Sequence, residues 1–472
     1  MHSLRSLSLS CSAALLTLCL ANTSHSAPAN AHGAAPQKST KTALKVAAKT
    51  PAKVSLKAAS AKAKPKTASN NARARQPMRA IAAAAGASAV ATGVSTLASK
   101  ASARDADAEN RLIAIYRLIG QARNREALEP ARELVRDYPT FQLAQLVYGD
   151  LLNSQVRPVR TLGDVSASAS QAGANTLAEL REESALRLKA LRERPPPGTL
   201  PSQFMALAPS SRHAIAIDTS RSRLYLFENS STGLHLVADF YVSIGKLGAE
   251  KNIEGDKRTP LGVYFITSNL DPKTLTNFYG SGALPINYPN ALDQSRGKTG
   301  SGIWLHGTPP EQFSRAPRAS DGCVVLANPD LERLIRTVQV RTTPVVIAEK
   351  LQWQPPQTVA SNSQAFATAL TNWQEAKSSG DMARLLKFYT ANFRSQDKNL
   401  EQWTPALRQE VERLQGRPIQ LKDLSYLHWS DTADTMVVTF GEVIEGMRTG
   451  MTKRQYWIRD GIQWQIFFEG VI

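Results

Sequence analysis

Apolar residues recur at helical spacing between Ala106 and Gln155. They form three groups, which are Leu112, Ile115 and Ile119, then Leu128, Ala131 and Val135, then Leu143, Val147 and Leu151. One face of an α-helix repeats every three or four residues, so this pattern predicts three short amphipathic helices, broken at Asn124 and Pro139.

The predicted helical unit is similar to a single tetratricopeptide repeat, and one such repeat cannot bury its apolar face alone. We therefore expect it to pack on another domain or on a second subunit. Residues 156–211 include the charged helical stretch LAELREESALRLKALRER, which PPPG ends. Because this stretch has little apolar face, we interpret it as a connector within a helical segment at 105–211.

At His213 the pattern changes to alternating or continuous runs of β-branched and aromatic residues, which predict strands. Further strands fit Gly262 to Thr267, Gly302 to His306 and Val345 to Ala348. One helix is predicted within this block, from Pro329 to Val338, with Asn328 as its N-cap. The sequence thus predicts a mostly-β domain at 212–350.

A polar linker around Gln354 to Ser363 precedes a third domain at 363–472. Phe366, Leu370 and Trp373 mark a first helix, and a second helix with Leu385, Leu386 and Tyr389 follows Gly380 and Asp381. Four strands are then predicted: Leu421 to Trp429, Thr435 to Ile444, Lys453 to Ile458 and Gln463 to Phe468. Asp460 and Gly461 form a hairpin signal between the last two strands. Helices followed by a curved antiparallel sheet predict an α+β cone.

The amino-terminal region carries most of the net positive charge of the chain. Residues 1–27 have the early arginine, short apolar run and small residues of a secretory signal peptide, and the run is too short to span a membrane. Residues 28–104 contain 14 Lys and Arg and no Asp or Glu, so most of the net charge of +18 belongs to this Ala- and Lys-rich segment. It is predicted to be a disordered linker, either an electrostatic tether to anionic envelope polymers or a solvated spacer.

Only one of the three cysteines, Cys323, lies outside the predicted signal peptide. His306 ends one predicted strand and Cys323 begins the next, 17 positions later. A thiol of ordinary pKa is little ionised at neutral pH, so a nucleophilic cysteine needs a nearby base, and His306 is the candidate. The amides of Gly322 and Cys323 are candidates for an oxyanion hole, and Gly322 would leave backbone room for substrate. An inert core pair remains the alternative at this point.

The order of residues around this pair resembles the signature of the L,D-transpeptidase (YkuD) catalytic family. In that family a His-Gly pair is followed by Ser/Thr-His-Gly-Cys and then an Asn. The matching positions are His306, Gly307, Ser320, Gly322, Cys323 and Asn328, and Arg258, Thr259, Pro260 and Gly262 match a second family segment upstream. The resemblance implies that Cys323 is the nucleophile and His306 the base, and it places Ser320, Gly307, Asp321 and Trp304 among the substrate or oxyanion residues.

Two positions depart from the family pattern. Asp321 stands where most members have a second His, and Val325 where many have an Arg. The resemblance implies action on peptidoglycan stem tetrapeptides through a Cys323 thioester, with release of D-alanine and transfer to an amine. The departures keep an alternative open, L,D-carboxypeptidase trimming of tetrapeptides to tripeptides, as does a non-catalytic peptidoglycan-binding scaffold.

Architecture adds a second resemblance. The helical unit in front and a nuclear-transport-factor-2-like cone behind are similar to the cell-shape L,D-carboxypeptidase branch. Together these features predict a periplasmic enzyme with peptidoglycan as partner, no nucleic-acid partner and no cofactor or metal. A homo-oligomer through the helical or C-terminal domain is a further expectation. Trp304 and Tyr279 are candidates to line a groove, although core or rim packing is the commoner role of such aromatics.

Overall fold

The computed structural model describes residues 107–164 and 173–472. The predicted signal peptide and basic linker lie outside these residues. Within them, no helix is both long enough and apolar enough to cross a bilayer.

The first part of the described chain is helical. Its elements are α1 (Asp107–Gly120), α2 (Asn124–Asp137), α3 (Gln142–Asn153) and α4 (Ala174–Arg192). The three predicted helices are present as α1 to α3, and their apolar stripes meet in one core that includes Leu112, Leu134 and Val147. Phe313, from the predicted mostly-β domain, packs against this core. The helical unit therefore packs on another domain, one of the two expected arrangements.

The interpretation of α4 as a connector is wrong. Arg187 on this helix is 3% exposed and forms ion pairs with Glu183 at 2.8 Å and with Glu109 of α1 at 2.9 Å. Glu109 also pairs with Arg223, which lies beyond the helical segment, at 2.8 Å. A search for an apolar face misses such a helix because most of its buried residues, Glu183, Ser184 and Arg187, are polar or charged.

The next unit is built on small sheets. Its strands and helices are β1 (Leu200–Pro201), β2 (Phe204–Ala206), β3 (His213–Asp218), β4 (Arg223–Ser230), β5 (Gly233–Tyr241), β6 (Ile244–Gly245), β7 (Gly262–Phe265), β8 (Ala283–Pro285), α5 (Ala291–Ser295), β9 (Trp304–His306), β10 (Arg318–Ser320), β11 (Val324–Val325), α6 (Asn328–Thr337), β12 (Pro344–Ala348) and β13 (Trp353–Gln354). A five-stranded sheet has the order β5-β4-β3-β12-β7, and a three-stranded sheet has the order β11-β9-β8. The core between them includes Ile215, Leu305, Val324 and Leu334.

The last unit contains α7 (Pro356–Asn362), α8 (Gln364–Ser379), α9 (Met382–Leu386), β14 (Tyr389–Ser395), β15 (Lys398–Asn399), α10 (Leu400–Leu414), β16 (Ile419–Ser430), β17 (Asp434–Ile444), β18 (Met451–Asp460) and β19 (Gln463–Val471). The four predicted strands are present as β16 to β19. Two expectations are wrong in detail, because the predicted linker contains α7 and because Tyr389 begins a strand instead of ending a helix.

The two sheet-containing units share a hydrophobic core. Tyr225, Phe227 and Val346 of the first unit lie in one buried cluster with Leu427 and Tyr456 of the last. In addition, β2 pairs with β16 and so extends the C-terminal sheet to seven strands. The C-terminal unit is therefore packed onto the preceding sheet-containing unit through a shared core and a shared sheet.

Candidate active site

Strand pairing brings Cys323 and His306 to one surface. Strands β11 and β9 are parallel, with Val324 opposite Leu305 and Val325 opposite His306. Side chains alternate between the two faces of a sheet, and partners on neighbouring strands share a face. Leu305 and Val324 point into the core, so His306, Trp304 and Cys323 lie on the opposite face. The two side chains therefore share one face of this strand pair.

The His306 ring is held in one tautomer. Its Nδ1 lies 2.8 Å from the carbonyl oxygen of Gly307. A carbonyl oxygen only accepts hydrogen bonds, so Nδ1 carries the proton and Nε2 is left as the basic nitrogen. Phe278 and Tyr279 pack on the ring, with centroids 5.8 and 5.1 Å away. Burial lowers the pKa of His306 from 6.5 to about 4, so the imidazole is neutral at neutral pH.

The surroundings of Cys323 disfavour its thiolate form. Its Sγ lies 3.5 Å from the carbonyl oxygen of Gly302. Burial raises the pKa of the thiol, although a backbone hydrogen bond from Trp304 and the positive charge of Arg315 oppose that rise. Because burial disfavours both the thiolate and the imidazolium, the thiol needs a base that removes its proton as the sulfur attacks.

The turn before Cys323 is shaped by Ser320, which is 3% exposed. Its Oγ donates to the carbonyl oxygen of Cys323 at 2.6 Å and accepts from the amide of Gly322 at 3.1 Å. Ser320 is therefore a buried part of the turn. The Gly322 amide, expected to belong to an oxyanion hole, donates to this serine in the structure.

Gly322 is required for a backbone reason. Its φ is +126°, a conformation that L-residues rarely adopt, and an added Cβ would lie 2.8 Å from the carbonyl oxygen of Arg258. The space beside Gly322 is thus occupied by protein backbone and not reserved for substrate. Thr259 secures the same turn, since its hydroxyl donates to the Gly322 carbonyl oxygen at 2.9 Å.

Gly307 contacts both the His306 ring, through its carbonyl oxygen, and the loop that contains Tyr279, through its amide. Its amide donates to the Tyr279 carbonyl oxygen at 3.0 Å. An added Cβ would lie 2.0 Å from Oδ1 of Asn328. The close approach of this loop to Asn328 explains why a glycine occupies position 307 of the sequence signature.

The prediction that Asn328 is the N-cap of α6 is wrong. Ala327 occupies that position, and α6 begins at Asn328. The Asn328 side chain turns to the active-site loops, where Oδ1 accepts from the amides of Ser281 and Thr308 at 3.0 and 3.2 Å and Nδ2 donates to the Thr308 carbonyl oxygen at 2.9 Å. It therefore connects the loop that follows His306 with the loop that precedes β8.

Two other predicted residues lie at the edge of the site. The Asp321 side chain is exposed and forms an ion pair with Lys246 at 3.0 Å. Trp304 is partly exposed on the Cys323 face and packs against Tyr279, with ring centroids 4.8 Å apart. Val325 is buried.

The loop between His306 and Cys323 is anchored by the helical unit. The amide of Phe313 donates to the Thr140 carbonyl oxygen at 3.2 Å, and its ring lies 4.3 Å from that of Phe141. Ser314 donates to Glu183 of α4 at 2.9 Å. The same loop carries Arg315, whose charge acts on both His306 and Cys323. The sequence analysis did not identify Arg315, because a single arginine in a polar loop has no spacing that marks it.

The comparisons with known proteins match two parts of the chain. Residues 212–347 match the L,D-transpeptidase catalytic domain family (YkuD), and residues 365–470 match the Cds6 C-terminal NTF2-like domain. A comparison with curated protein sequences found no match.

Solved structures with partial similarity include Bd1075 from Bdellovibrio bacteriovorus, at 23% identity and a TM-score of 0.49, covering 58% of this chain and 98% of that one. The helical cell shape determining protein Pgp2 from Campylobacter jejuni is 22% identical with a TM-score of 0.46, covering 61% of this chain and 98% of that one. The sheet-rich domain followed by an NTF2-like α+β domain confirms the predicted fold class. This chain therefore contains an L,D-transpeptidase (YkuD) catalytic domain at residues 212–347, followed at residues 365–470 by a Cds6 C-terminal NTF2-like domain.

Proposed function

We propose that the protein is a peptidoglycan L,D-transpeptidase that acts on stem tetrapeptides through a thioester on Cys323. The observation that carries this proposal is the position of Cys323 and His306 on one face of the β11-β9 pair, with Nδ1 of His306 bonded to Gly307. That arrangement leaves Nε2 as the base for the thiol, within a domain of the L,D-transpeptidase family.

In the first step, Nε2 of His306 takes the proton of the thiol as Sγ forms a bond to the carbonyl carbon of the third, diamino acid residue. The amide of Cys323 is the proposed hydrogen-bond donor to the resulting oxyanion, since the Gly322 amide is bonded to Ser320. His306 then gives its proton to the departing nitrogen. The carbon–nitrogen bond breaks, D-alanine leaves, and the acyl group remains on Cys323 as a thioester.

The acceptor decides the product. An amine of a second stem peptide attacking the thioester gives a cross-link, and water gives a tripeptide. Hydrolysis is the second candidate, because the exposed Asp321–Lys246 pair stands beside Cys323 where most family members have a histidine. A transpeptidase must position its acceptor amine there and exclude water, and this pair changes that surface.

The test is mass spectrometry of purified tetrapeptide muropeptides incubated with the protein. Dimers linked between two diamino acids support transpeptidation, whereas tripeptide monomers without dimers support the carboxypeptidase. Cys323→Ala and His306→Gln should each abolish both products. His235→Gln is the matched control, since His235 is exposed on β5 and its ring bonds to the nearby Thr232. Full activity of the Cys323 variant would end the proposal.

A non-catalytic scaffold built on the same domain makes a different prediction. A carbapenem acylates a competent nucleophilic cysteine, so the intact protein should gain the mass of one such adduct, and Cys323→Ala should gain none. A scaffold would show no adduct on either protein and no turnover. Retention of sacculus binding by such an inactive protein would support the scaffold.

The remaining expectations follow from this activity. We propose that the protein works in the periplasm, where peptidoglycan lies, and that its C-terminal domain binds glycan or stem peptide or mediates self-association. A cleft of about 350 Å³ in that domain is lined by residues that include Arg384, Lys387, Phe388 and Trp464. Deleting the domain would expose the shared core, so Lys387→Glu is the sharper test. Weaker binding to insoluble sacculi, or a changed oligomer, is the expected result, and the exposed Lys398→Glu is its control.

A further inference from the structure

Arg315 lies in the loop that joins the two proposed catalytic residues. Its guanidinium carbon stands 4.5 Å from the centre of the Phe278 ring, and Phe278 in turn packs on His306. The Arg315 carbonyl oxygen accepts a hydrogen bond from the Tyr241 hydroxyl at 2.9 Å. Both ends of this residue are therefore held, and its cation is directed toward the site.

The cation lacks a protein counter-ion. Among the residues that the structure describes, no carboxylate lies within 4 Å of the Arg315 guanidinium, and the guanidinium donates no hydrogen bond to them. The buried Arg187 and Arg223 differ in this respect, since each is paired with carboxylates. Asp321 lies near enough to act electrostatically, but its side chain pairs with Lys246.

A partly buried, unpaired guanidinium is costly unless something pairs with it. Burial accordingly lowers the pKa of Arg315. The planar guanidinium fork matches a carboxylate with two parallel hydrogen bonds. The stem tetrapeptide offers carboxylates next to the scissile bond, at the terminal D-residue and on the side chain of a diamino dicarboxylic acid.

We propose that Arg315 is a substrate-binding residue that pairs with a carboxylate adjoining the scissile bond of the stem peptide. This inference rests on the proposed function. It makes Arg315 a determinant of which peptides bind, whereas Cys323 and His306 perform the chemistry. The stacked position on Phe278 fixes the fork before the peptide arrives, so little side-chain entropy is lost on binding.

Binding is measured by calorimetry in the Cys323→Ala background, which removes turnover. The probes are the tetrapeptide, its analogue amidated at the terminal D-residue, and its analogue amidated on the diamino acid side chain. Adding R315Q should weaken tetrapeptide binding about tenfold to hundredfold, as expected for a lost charge-assisted hydrogen bond. R315K keeps the charge without the fork and should fall between. R336Q, on the outer face of α6, is the control and should change nothing.

The two amidated probes identify the carboxylate. The analogue that lacks the correct carboxylate should bind weakly to the Cys323→Ala protein and lose no more affinity when R315Q is added. The other analogue should behave like the tetrapeptide. Equal losses by all three probes, a change below about twofold, or no measurable tetrapeptide binding would each overturn the proposal.

Turnover and alkylation measurements distinguish this inference from the proposed function and from a purely electrostatic role of Arg315. If the wild-type protein has no activity but Cys323→Ala binds tetrapeptide in an Arg315-dependent way, the proposed function fails and the inference stands. If the wild type is active and R315Q does not raise KM, the inference alone fails. A purely electrostatic role on Cys323 would instead shift the pH dependence of iodoacetamide alkylation in R315Q and leave binding unchanged, which also overturns it.

Discussion

The imidazole of His306 donates from Nδ1 to the carbonyl oxygen of Gly307, the next residue in the chain, at 2.8 Å. In many catalytic sites a side-chain carboxylate orients the histidine, whereas here a main-chain carbonyl does so. A carbonyl oxygen fixes the tautomer without adding a negative charge. The absence of that charge is consistent with a His306 pKa that burial lowers to about 4.

The pH dependence of acylation should reflect this low pKa. His306 acts as a base only when it is neutral, so the acid limb of kcat/KM should lie near pH 4 and not near 6.5. Because burial also raises the pKa of Cys323, iodoacetamide alkylation without substrate should be slow at neutral pH and rise only in alkaline solution. Muropeptide turnover and alkylation measured from pH 3.5 to 10 check both. An acid limb near pH 6.5 with rapid alkylation at pH 7 would indicate a preformed thiolate–imidazolium pair.

Stability should also depend on His306. The unfolded chain binds a proton at this position below pH 6.5, whereas the folded chain does so only near pH 4. The free energy of unfolding should therefore fall as the pH drops from 6.5 to 4, by up to about 3 kcal/mol from this group, and level off below pH 4. Urea unfolding of His306→Gln should lack this part of the slope. His235→Gln should retain it, and equal slopes in the two variants would contradict the prediction.

Asn328→Ala should reduce both activity and stability. The substitution leaves the amides of Ser281 and Thr308 and the Thr308 carbonyl oxygen without their present partner. A loss of about 2–4 kcal/mol in the free energy of unfolding is expected, together with a lower kcat, since the loop after His306 is released. Asn328→Asp keeps the acceptor but removes the donor to Thr308, so it should be impaired as well. Wild-type kcat in both variants would show that these bonds do not position His306.

Phe313→Ala tests the contact between the helical unit and the active-site loop. The ring packs on Phe141 and Tyr138 at 4.3 and 5.3 Å, and it lies two residues from Arg315. We expect a loss of about 2 kcal/mol in stability and a larger fall in kcat/KM than the small unfolded fraction explains. The control is Leu152→Ala, because Leu152 is exposed on α3. A loss of stability with full kcat/KM in the folded protein would limit the helical unit to a structural role.

Arg187→Met should destabilise the protein by about 3–5 kcal/mol, because it leaves buried Glu183 without its ion-pair partner. Arg132→Met removes an exposed pair with Glu129 and should cost far less. Chemical unfolding of the two variants at neutral pH gives the comparison. Similar small losses would mean that the buried network contributes no more than a surface pair.

The sequence by itself determined most of the elements and singled out Cys323 and His306 as the candidate pair. Apolar periodicity predicted α1 to α3 and β16 to β19, since backbone period and burial pattern are coupled locally. The order of residues from His306 to Cys323 identified the catalytic family that the comparison confirmed. Strand alternation was enough to put Cys323 and His306 on one face once their pairing was known.

Tertiary structure decided what each polar group bonds to. The partner of His306 is a backbone carbonyl, and the partners of Asn328 lie up to 47 residues away, so no local pattern marks them. Ser320 and the Gly322 amide belong to the motif, yet both form hydrogen bonds within the turn itself. Arg315 has no motif spacing around it, and its position against Phe278 is decided by the fold. Hydrogen bonding and charge pairing depend on distances across the fold, which the spacing of residues along the chain does not specify.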